Sequence, residues 1–275
     1  MSALTGTSPG TIGDGPEAPA VGVAAAPAAE TVEVSSATWK SLIAQPVAIF
    51  AVLGLFLVWL NVAPLTATER TTLDPATLWG ATVEHLKLTF VAAAIVLIIA
   101  IPLGVLLTRA GFRRFSAPIL AVANFGQAAP AIGLVVLLAI FITSGFWASI
   151  VALVLYAALP VLSNTMIGLR GVPAPLVEAG RGMGMSASAV LFKVELPLAV
   201  PVMLAGIRTA LVLLVGTASL AAFVNGGGLG LLIVTGVNLY LTTVLVSGAL
   251  LIALLALFID WLGRVVEFVA HPKGL

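Results

Sequence analysis

Long apolar runs separated by short charged segments dominate the sequence. No Asp, Glu, Lys or Arg occurs within 41–68, 88–108, 115–169 or 209–259. A transmembrane helix needs about 20 consecutive apolar residues. The first two runs therefore hold one helix each, and the last two, of 55 and 51 residues, hold two each. The pattern predicts an all-α integral membrane protein with six transmembrane helices.

The approximate bounds of these helices follow from the runs. They are 46–64, 88–108, 117–141, 146–168, 199–224 and 242–262. Pro102, Pro130 and Pro160 lie inside predicted helices. We expect kinks there, because neighbouring helices in a membrane satisfy the carbonyl groups that a proline leaves free. A gating role for these prolines is the alternative interpretation.

The connection 65–87 separates the first predicted helix from the other five. Within it, Asp74 is typical of an N-cap and Pro75 of a first helical turn. They predict a short surface helix that leads into the second span. We therefore interpret the helix 46–64 as an addition to a five-helix core covering 84–264.

Composition and charge support a membrane protein and exclude several other classes. The chain is 61% hydrophobic and 8% charged, with a mean hydropathy of +1.20, whereas soluble domains carry about 25% charged residues. The net charge of +1 gives no reason to expect nucleic acid as a partner. The absence of cysteine excludes disulfides, thiolate metal sites and cysteine nucleophiles.

Lys and Arg residues are unequally divided between the two sides of the predicted bundle. One side holds ten of them, and the other holds only Arg70 and Lys87. Because Lys and Arg favour the cytoplasmic side, both termini and the segment 170–197 are predicted to be cytoplasmic in the cell membrane. Residues 1–42 are rich in Ala, Pro, Gly, Ser and Thr. We expect them to form a disordered cytoplasmic tail, because such a composition cannot bury enough apolar surface.

The sequence offers no catalytic constellation. It has no G-x-x-x-x-G-K-[ST] phosphate-binding motif, and no acid or base lies at the centre of a predicted span. His85 and His271 are its two histidines and fall in opposite compartments, so His85 is interpreted as a packing residue at headgroup depth. We therefore predict no catalytic residue, no cofactor and no metal site, and expect any energy to be supplied by another subunit.

Asn124 and Gln127 are the amide side chains of the third predicted span, one helical turn apart and just before Pro130. Polar groups at membrane depth usually face another helix or a water-filled path. Two interpretations follow. The amides either hold helices together, or they line a translocation path together with Pro130.

A compact polar segment interrupts the oily spans at residues 178–197, "EAGRGMGMSASAVLFKVELP". Pro175 suits the first turn of a helix over 175–183, which Gly184 ends in a left-handed conformation. Ser186 is a suitable N-cap for a second helix over 187–194. The pattern thus predicts two short helices, about 12–14 Å long each, on the cytoplasmic surface.

The residues alone leave two interpretations of this segment. Glycines at 180, 182 and 184 weaken an isolated helix by up to about 1 kcal/mol each, which favours compensation by the close approach of another backbone. An apolar face with Val190, Leu191 and Val194 would then fit a partner's groove. Alternatively, the segment is an ordinary connection in which Glu178 and Arg181 form an ion pair.

The spacing of this segment resembles the EAA loop of ABC importer permeases. That motif reads E-A-A, three residues, G, nine residues, I, one residue, L-P. Its counterparts in this sequence are Glu178, Ala179, Gly180, Gly184, Val194, Leu196 and Pro197. Gly180 and Val194 replace the alanine and isoleucine of the motif.

A longer stretch is similar to the osmoprotectant branch of these permeases, which imports glycine betaine, choline and related quaternary amines. "EHLKLTF", "IPLGVLLTR" and "AAFVNGGGLGLLIVTGV" carry this similarity, together with the segment that contains the EAA-like motif. The chain departs from the branch at Asn225, where a small residue is expected, and at Leu231, where the branch often has an acid. Neither a fused binding domain nor a fused ATPase is recognised in the sequence.

The resemblance implies a five-helix type I importer core, a separate ATPase that receives the coupling loop 170–197, and a separate extracytoplasmic substrate-binding protein. It also implies a second permease, which is either another copy or a sibling chain. An aromatic cage for a quaternary amine is expected on the binding protein, since this chain has only two tyrosines. Two alternatives remain. The same machinery would carry another small solute such as an amino acid, or the chain is a non-transporting scaffold or lipid-facing enzyme.

Overall fold

The computed structural model describes residues 39–270, and all regular elements in this range are helices. The predicted tail 1–42 lies almost wholly outside the described residues. The α-helices are α1 (Trp39–Val62), α2 (Ala67–Thr72), α3 (Pro75–Thr108), α4 (Ser116–Ala128), α5 (Ala131–Phe141), α6 (Gly145–Arg170), α7 (Ala174–Gly182), α8 (Ala187–Val190), α9 (Leu196–Ala218), α10 (Gly230–Asn238) and α11 (Thr242–Ala270).

Within residues 39–270, five helical segments are long and apolar enough to cross a membrane. They are Leu42–Val62, Pro75–Thr108, Gly145–Arg170, Ala187–Val224 and Thr242–Ala270. The helical membrane fold predicted from the sequence is thereby confirmed. The count reaches six when α4 and α5 are taken together as one broken span.

The break between α4 and α5 is larger than the kink predicted at Pro130. The two helices meet at 99°, so a continuous helix over 117–141 was a wrong prediction. Ala129 is extended, with φ −63° and ψ 143°, because the residue before a proline disfavours the α conformation. Pro102 and Pro160, in contrast, lie inside the uninterrupted helices α3 and α6.

The entry to α3 also differs from the prediction. Asp74 is the N-cap, and its side chain accepts a hydrogen bond from the Ala76 N–H at 3.0 Å. Pro75, however, begins a single helix of 34 residues, so the short helix predicted to begin there is part of the span itself. The short surface helix is α2 instead. Its capping box joins Thr66 and Glu69, whose Oε2 accepts the Thr66 N–H at 2.9 Å.

The core lies where α3, α6 and α9 meet. Leu88, Val96, Leu153 and Leu214 are among its buried side chains. Small residues allow the helices to approach closely, as is common in membranes. At Gly206 on α9, a methyl group would lie 2.5 Å from Cβ of Asn164 and 2.7 Å from the Pro160 carbonyl oxygen, both on α6.

Helix α1 packs on α11 through polar contacts near its N-terminal end. The Trp261 indole N–H donates to the Leu42 carbonyl at 2.7 Å, and Gln45 Nε2 donates to the Leu257 carbonyl at 3.1 Å. One turn further along, the rings of Phe50 and Phe258 meet edge to face at 6.1 Å. These contacts fix one end of α1 against the last span. Its interpretation as an addition to a five-helix core stays a prediction.

Candidate functional site

The polar interruption forms a compact element that we call the EAG segment, residues 174–195. Its first part is α7, Ala174–Gly182, with Pro173 at the N-cap and Pro175 in the first turn. These bounds are one residue away from the predicted 175–183. Glu178 is the fifth residue of α7 and lies beyond the first turn. The helix dipole stabilises a carboxylate most within the first turn.

Helix α7 ends in a Schellman motif. The Met185 N–H donates to the Gly180 carbonyl at 3.2 Å, and the Gly184 N–H donates to the Arg181 carbonyl at 2.9 Å. Gly184 has the predicted left-handed backbone, with φ 80°. This pair of bonds satisfies carbonyl groups that the helix end leaves free, so the end of α7 is well defined without any partner.

In the second half of the EAG segment, the prediction of a separate helix over 187–194 was wrong. Ser186 is the N-cap, as predicted, and its hydroxyl accepts the Ala189 N–H at 3.3 Å. From there α8 passes through a π-helical turn, Leu191–Glu195, directly into α9. Leu196 and Pro197 therefore form the first turn of α9, within one continuous helical run.

Gly180 is buried inside the EAG segment. A methyl group there would lie 3.4 Å from Met185 Sδ, 3.4 Å from Val190 Cγ2 and 3.7 Å from Val194 Cγ2. Its neighbours are thus side chains of the same chain, and the predicted approach of another backbone is not needed at this position. Val190 is also buried, so it belongs to the interior of the segment and not to the outer apolar face predicted for it.

The outer face of α7 is exposed and mixed in character. Leu176 and Met183 are 44% and 74% exposed, and Ala179 lies between them on the same side. Glu178 is exposed too. No ion pair of Glu178 occurs among residues 39–270, so the alternative pairing with Arg181 is absent there. The face offers apolar groups and one free carboxylate to an outside partner.

A bidentate ion pair near this face was not predicted from the sequence. Glu195, in the π-helical turn, is buried and accepts from both terminal nitrogens of Arg109 at the C-cap of α3. The Nη1–Oε1 distance is 3.2 Å. Paired bonds of this kind are strong and directional. They join the EAG segment to α3 across 86 positions of sequence.

A second charged cluster joins α9 to α11. Arg208 Nη1 donates to Glu267 at 2.8 Å, and its Nε lies 3.5 Å from Asp260. Arg264 Nε also reaches Asp260, at 3.0 Å. Gly263 makes room for this cluster, since a methyl group there would lie 2.7 Å from Arg208 Cγ. The cluster joins α9 to successive turns of α11.

The candidate path residues lie on the broken span. Asn124 is exposed on α4, Gln127 is half-buried, and Pro130 is the exposed N-cap of α5. Neither amide makes a hydrogen bond to any of the residues described. Both interpretations of these amides, as links between helices and as lining of a translocation path, stay predictions.

At the opposite end of α9, residues 225–230 form what we call the glycine loop. Glu84 Oε2 accepts the Gly228 N–H at 3.0 Å. The ring of His85, which is fully buried, lies with Nε2 2.8 Å from the Val215 carbonyl oxygen. His85 is thus a buried packing residue, and the loop is fixed to α3.

Left-handed backbone explains the sequence of this loop. Asn225, Gly227 and Gly228 have φ of 57°, 83° and 88°. Asparagine tolerates that conformation better than other residues with a side chain, which accounts for Asn225. The helix α10 follows at once.

Comparison with known proteins gives a consistent answer. The family model for the binding-protein-dependent transport system inner membrane component matches residues 100–268. The glycine betaine/carnitine/choline transport system permease protein OpuCB of Bacillus subtilis is 39% identical over 70% of this chain and 88% of its own. The osmoprotectant import permease protein OsmW of Salmonella typhimurium is 39% identical over 70% and 92%.

Solved structures agree with this result. The MetNI methionine ABC transporter in an inward-facing conformation matches with a TM-score of 0.63 and 26% identity, over 72% of this chain and 99% of the matched chain. An amino acid ABC transporter with histidines matches with a TM-score of 0.60 over 74% and 99%. At 16% identity, the second likeness concerns the fold alone.

Proposed function

The chain belongs to the family of binding-protein-dependent transport system inner membrane components, and we propose that it moves glycine betaine, choline or a related quaternary amine into the cell. It is a multi-pass membrane permease of an ABC importer. The observation that carries the choice of solute is the 39% identity to osmoprotectant permeases over 70% of the chain. The chain itself is a transporter subunit and not an enzyme.

The exposed face of α7 is the docking surface for a separate ATPase. Leu176, Ala179 and Met183 supply apolar contact area, and Glu178 supplies a carboxylate with no ion-pair partner in residues 39–270. The Schellman end and the Ser186 cap hold this face in shape before any partner binds. A pre-formed face loses little entropy on docking.

Motion of α7 reaches the bundle by two covalent or ionic routes. The first is the continuous run from α8 through the π-helical turn into α9. The second is the Glu195–Arg109 pair, which joins the same turn to α3. Because α3 and α9 both line the buried core, a displacement of the EAG segment moves two core helices together.

The Lys and Arg distribution supports a cytoplasmic position for the EAG segment and both termini. ATP is available on that side, as docking of an ATPase requires. The glycine loop then faces outward, where a separate binding protein delivers the solute. The aromatic cage that holds a quaternary amine belongs to that binding protein.

The translocation path runs along α4 and α5 at an interface with a second permease. Val122 and Phe125 on α4 and Phe141 on α5 are at least 70% exposed, and α4 has no buried residue. Asn124 and Gln127 share this region and lack partners within the described chain. Whether the second permease is another copy or a sibling chain is decided by purification of the assembled complex.

One observation favours a second candidate solute. The structural neighbour of 26% identity is named a methionine transporter, so an amino acid is the alternative cargo of the same machinery. The scaffold hypothesis has no comparable support, since the family is one of transport components.

Reconstitution decides between these solutes. The permease, its ATPase and its binding protein are placed in proteoliposomes, and ATP-dependent uptake of radiolabelled glycine betaine, choline and methionine is compared. Saturable uptake of a quaternary amine without methionine uptake is the expected result. Methionine uptake alone would support the alternative, and no uptake with an intact, ATP-hydrolysing complex would contradict both.

A further inference from the structure

An elongated cavity lies between α1 and the rest of the bundle. Its volume is about 540 Å³. Its walls come from α1, the beginning of α3 and the middle of α11, and they are formed mainly by leucines. Representative wall residues are Leu53, Leu57, Leu78, Leu251 and Leu255. None of these takes part in the coupling or path sites described above.

The dimensions of the cavity fit one acyl chain. On α1 it extends from Ile49 to Asn61, or about 18 Å at a rise of about 1.5 Å per residue. One leaflet of the hydrocarbon core is about 15 Å deep.

The two ends of the cavity differ in polarity. Near Phe50 and Phe258 the lining is apolar, whereas Asn61, Arg70 and Asp74 line the other end. Trp79 lines that polar end as well and is 72% exposed. Tryptophan is enriched at the membrane–water interface, which places the polar end at headgroup depth.

Arg70 is the free cation of this polar end. The Asp74 side chain accepts the Ala76 N–H, and Asn61 Nδ2 donates to the Leu57 carbonyl at 2.8 Å. The Arg70 side chain is exposed and makes no ion pair or hydrogen bond within residues 39–270. Its helix is held in place by Glu69, whose pKa is lowered because the carboxylate accepts hydrogen bonds from the Thr66 backbone and from neighbouring hydroxyls.

We propose that this cavity is a binding site for one phospholipid. An acyl chain lies between α1 and α11, and the phosphate binds Arg70 at the headgroup level. Guanidinium groups suit phosphate because their donors match its oxygens in pairs. The polar contacts of Leu42 and Gln45 hold only one end of α1 against α11. The lipid fills the cavity beside the rest of α1 and so completes the packing of the first span.

A photoreactive phospholipid with a diazirine at the end of one acyl chain tests the site. The full-length permease is reconstituted in nanodiscs containing the probe, irradiated, and the modified peptides are mapped. We expect labelling concentrated in 49–61 and 250–258. In Leu57→Trp, which fills the cavity from a half-exposed position, this labelling should fall at least five-fold.

Leu55→Trp is the matched control, because Leu55 lies on the same helix, is 71% exposed and does not line the cavity. It should be labelled like the wild type. Equal labelling in both variants would mean ordinary bulk lipid and would overturn the proposal. So would a photocrosslinker at position 57 that captures a second permease copy or another protein in native membranes.

Arg70 is tested separately by counting phospholipids that stay bound in native mass spectrometry of the detergent-purified chain. Arg70→Gln should lose the bound lipid, and Arg70→Lys should retain most of it. Retention by both variants would show that no phosphate binds there. These readouts do not depend on transport, so a failure of the lipid site and a failure of the proposed importer function are distinguishable.

Discussion

The EAG segment and the glycine loop lie at opposite ends of α9 and are both rich in glycine, but they use it differently. Methyl groups at Gly182 and Gly184 would meet nothing within 4 Å. At Gly230, a methyl group would lie 1.9 Å from the Ser219 carbonyl oxygen, and at Gly227 it would lie 2.5 Å from Glu84.

This difference separates two reasons for a glycine. In the glycine loop the chain itself occupies the space, so glycine is a condition of folding. In the EAG segment the chain leaves space open, so a role for the glycines there must come from conformation or from a partner. The contrast predicts that substitutions at the loop affect folding, whereas substitutions on the outer face of α7 affect transport in a folded protein.

The largest effect is expected at the glycine loop. Gly230→Ala forces a methyl group against the Ser219 backbone, which cannot move aside as a flexible side chain would. We expect loss of most folded protein, or a destabilisation of at least about 1–3 kcal/mol, typical of overpacking. Fluorescence-detected size-exclusion chromatography with a thermal ramp measures it. The control is Gly216→Ala on α9, where a methyl group meets nothing within 4 Å. A normal melting temperature for Gly230→Ala would contradict the contrast.

The second effect is a loss of function without a loss of fold. Glu178→Lys reverses the free charge on α7, and we expect uptake to fall at least ten-fold while insertion and melting temperature stay unchanged, because Glu178 has no ion pair within the described chain. Binding of the ATPase, measured by copurification, should fall in parallel. Lys193→Glu, an exposed charge reversal elsewhere in the EAG segment, tests whether any charge reversal in this segment has the same effect. Wild-type uptake by Glu178→Lys would remove α7 from the coupling site.

The cysteine-free sequence allows a direct test of the same face. A single cysteine at Ala179 or Met183 should be captured by a thiol crosslinker from the bound ATPase. A cysteine at buried Val190 should not. We expect the crosslinking yield at position 179 or 183 to exceed the yield at position 190 at least ten-fold. Equal yields at all three positions would show that the exposed face is not the contact.

A smaller effect is expected where the EAG segment meets α3. Glu195→Gln removes the charge but keeps the shape, and we expect a loss of about 1–3 kcal/mol, the range for leaving a buried hydrogen-bonding group without its partner. ATP hydrolysis should continue while uptake falls several-fold, because the ionic route to α3 is weakened. In a double-mutant cycle with Arg109→Gln, the two losses should not add. Additive losses would show that the pair does not act as a unit.

The smallest effect is expected at Gly180, which lies between the two cases. A methyl group there would sit at ordinary contact distances of 3.4–3.7 Å from side chains, and alanine favours a helix by up to about 1 kcal/mol over glycine. Gly180→Ala should therefore be neutral or slightly stabilising, with uptake unchanged, by the same thermal assay. A marked loss of stability would mean that Met185, Val190 and Val194 cannot adjust at all.

Sequence periodicity and capping chemistry predicted much of this molecule. The uncharged runs located every span, since the bilayer sets their length, and Gly184, Ser186 and Asp74 were identified because caps act over three or four residues. The size of the effect of each proline on its helix was not predicted. A proline could lie inside an uninterrupted helix, as Pro102 does in α3, or mark the 99° break at Pro130, and the sequence gives no means to tell these apart.

Contacts between residues far apart in the chain could not be predicted from the sequence, for a different reason. Glu195 pairs with Arg109 across 86 positions, and Glu84 holds Gly228 across 144. No periodicity records such pairs. The glycine-rich run 226–230 is crowded by groups from α3, from Ser149 on α6 and from residues 219–221 just after α9, and no local pattern indicates these contacts.

The π-helical turn has a consequence for angle as well as for length. Such a turn holds one residue more than a regular α-helical turn, and each helical residue rotates the chain by about 100°. Residues 191–195 therefore set the azimuth at which α7 and α8 project from the axis of α9. Deleting one residue there would swing the docking face about a quarter of a circle away from its present heading. The nine residues between Gly184 and Val194 thus set the direction in which α7 projects from α9. A partner that binds α7 in that direction would not contact it in a chain shortened by one residue.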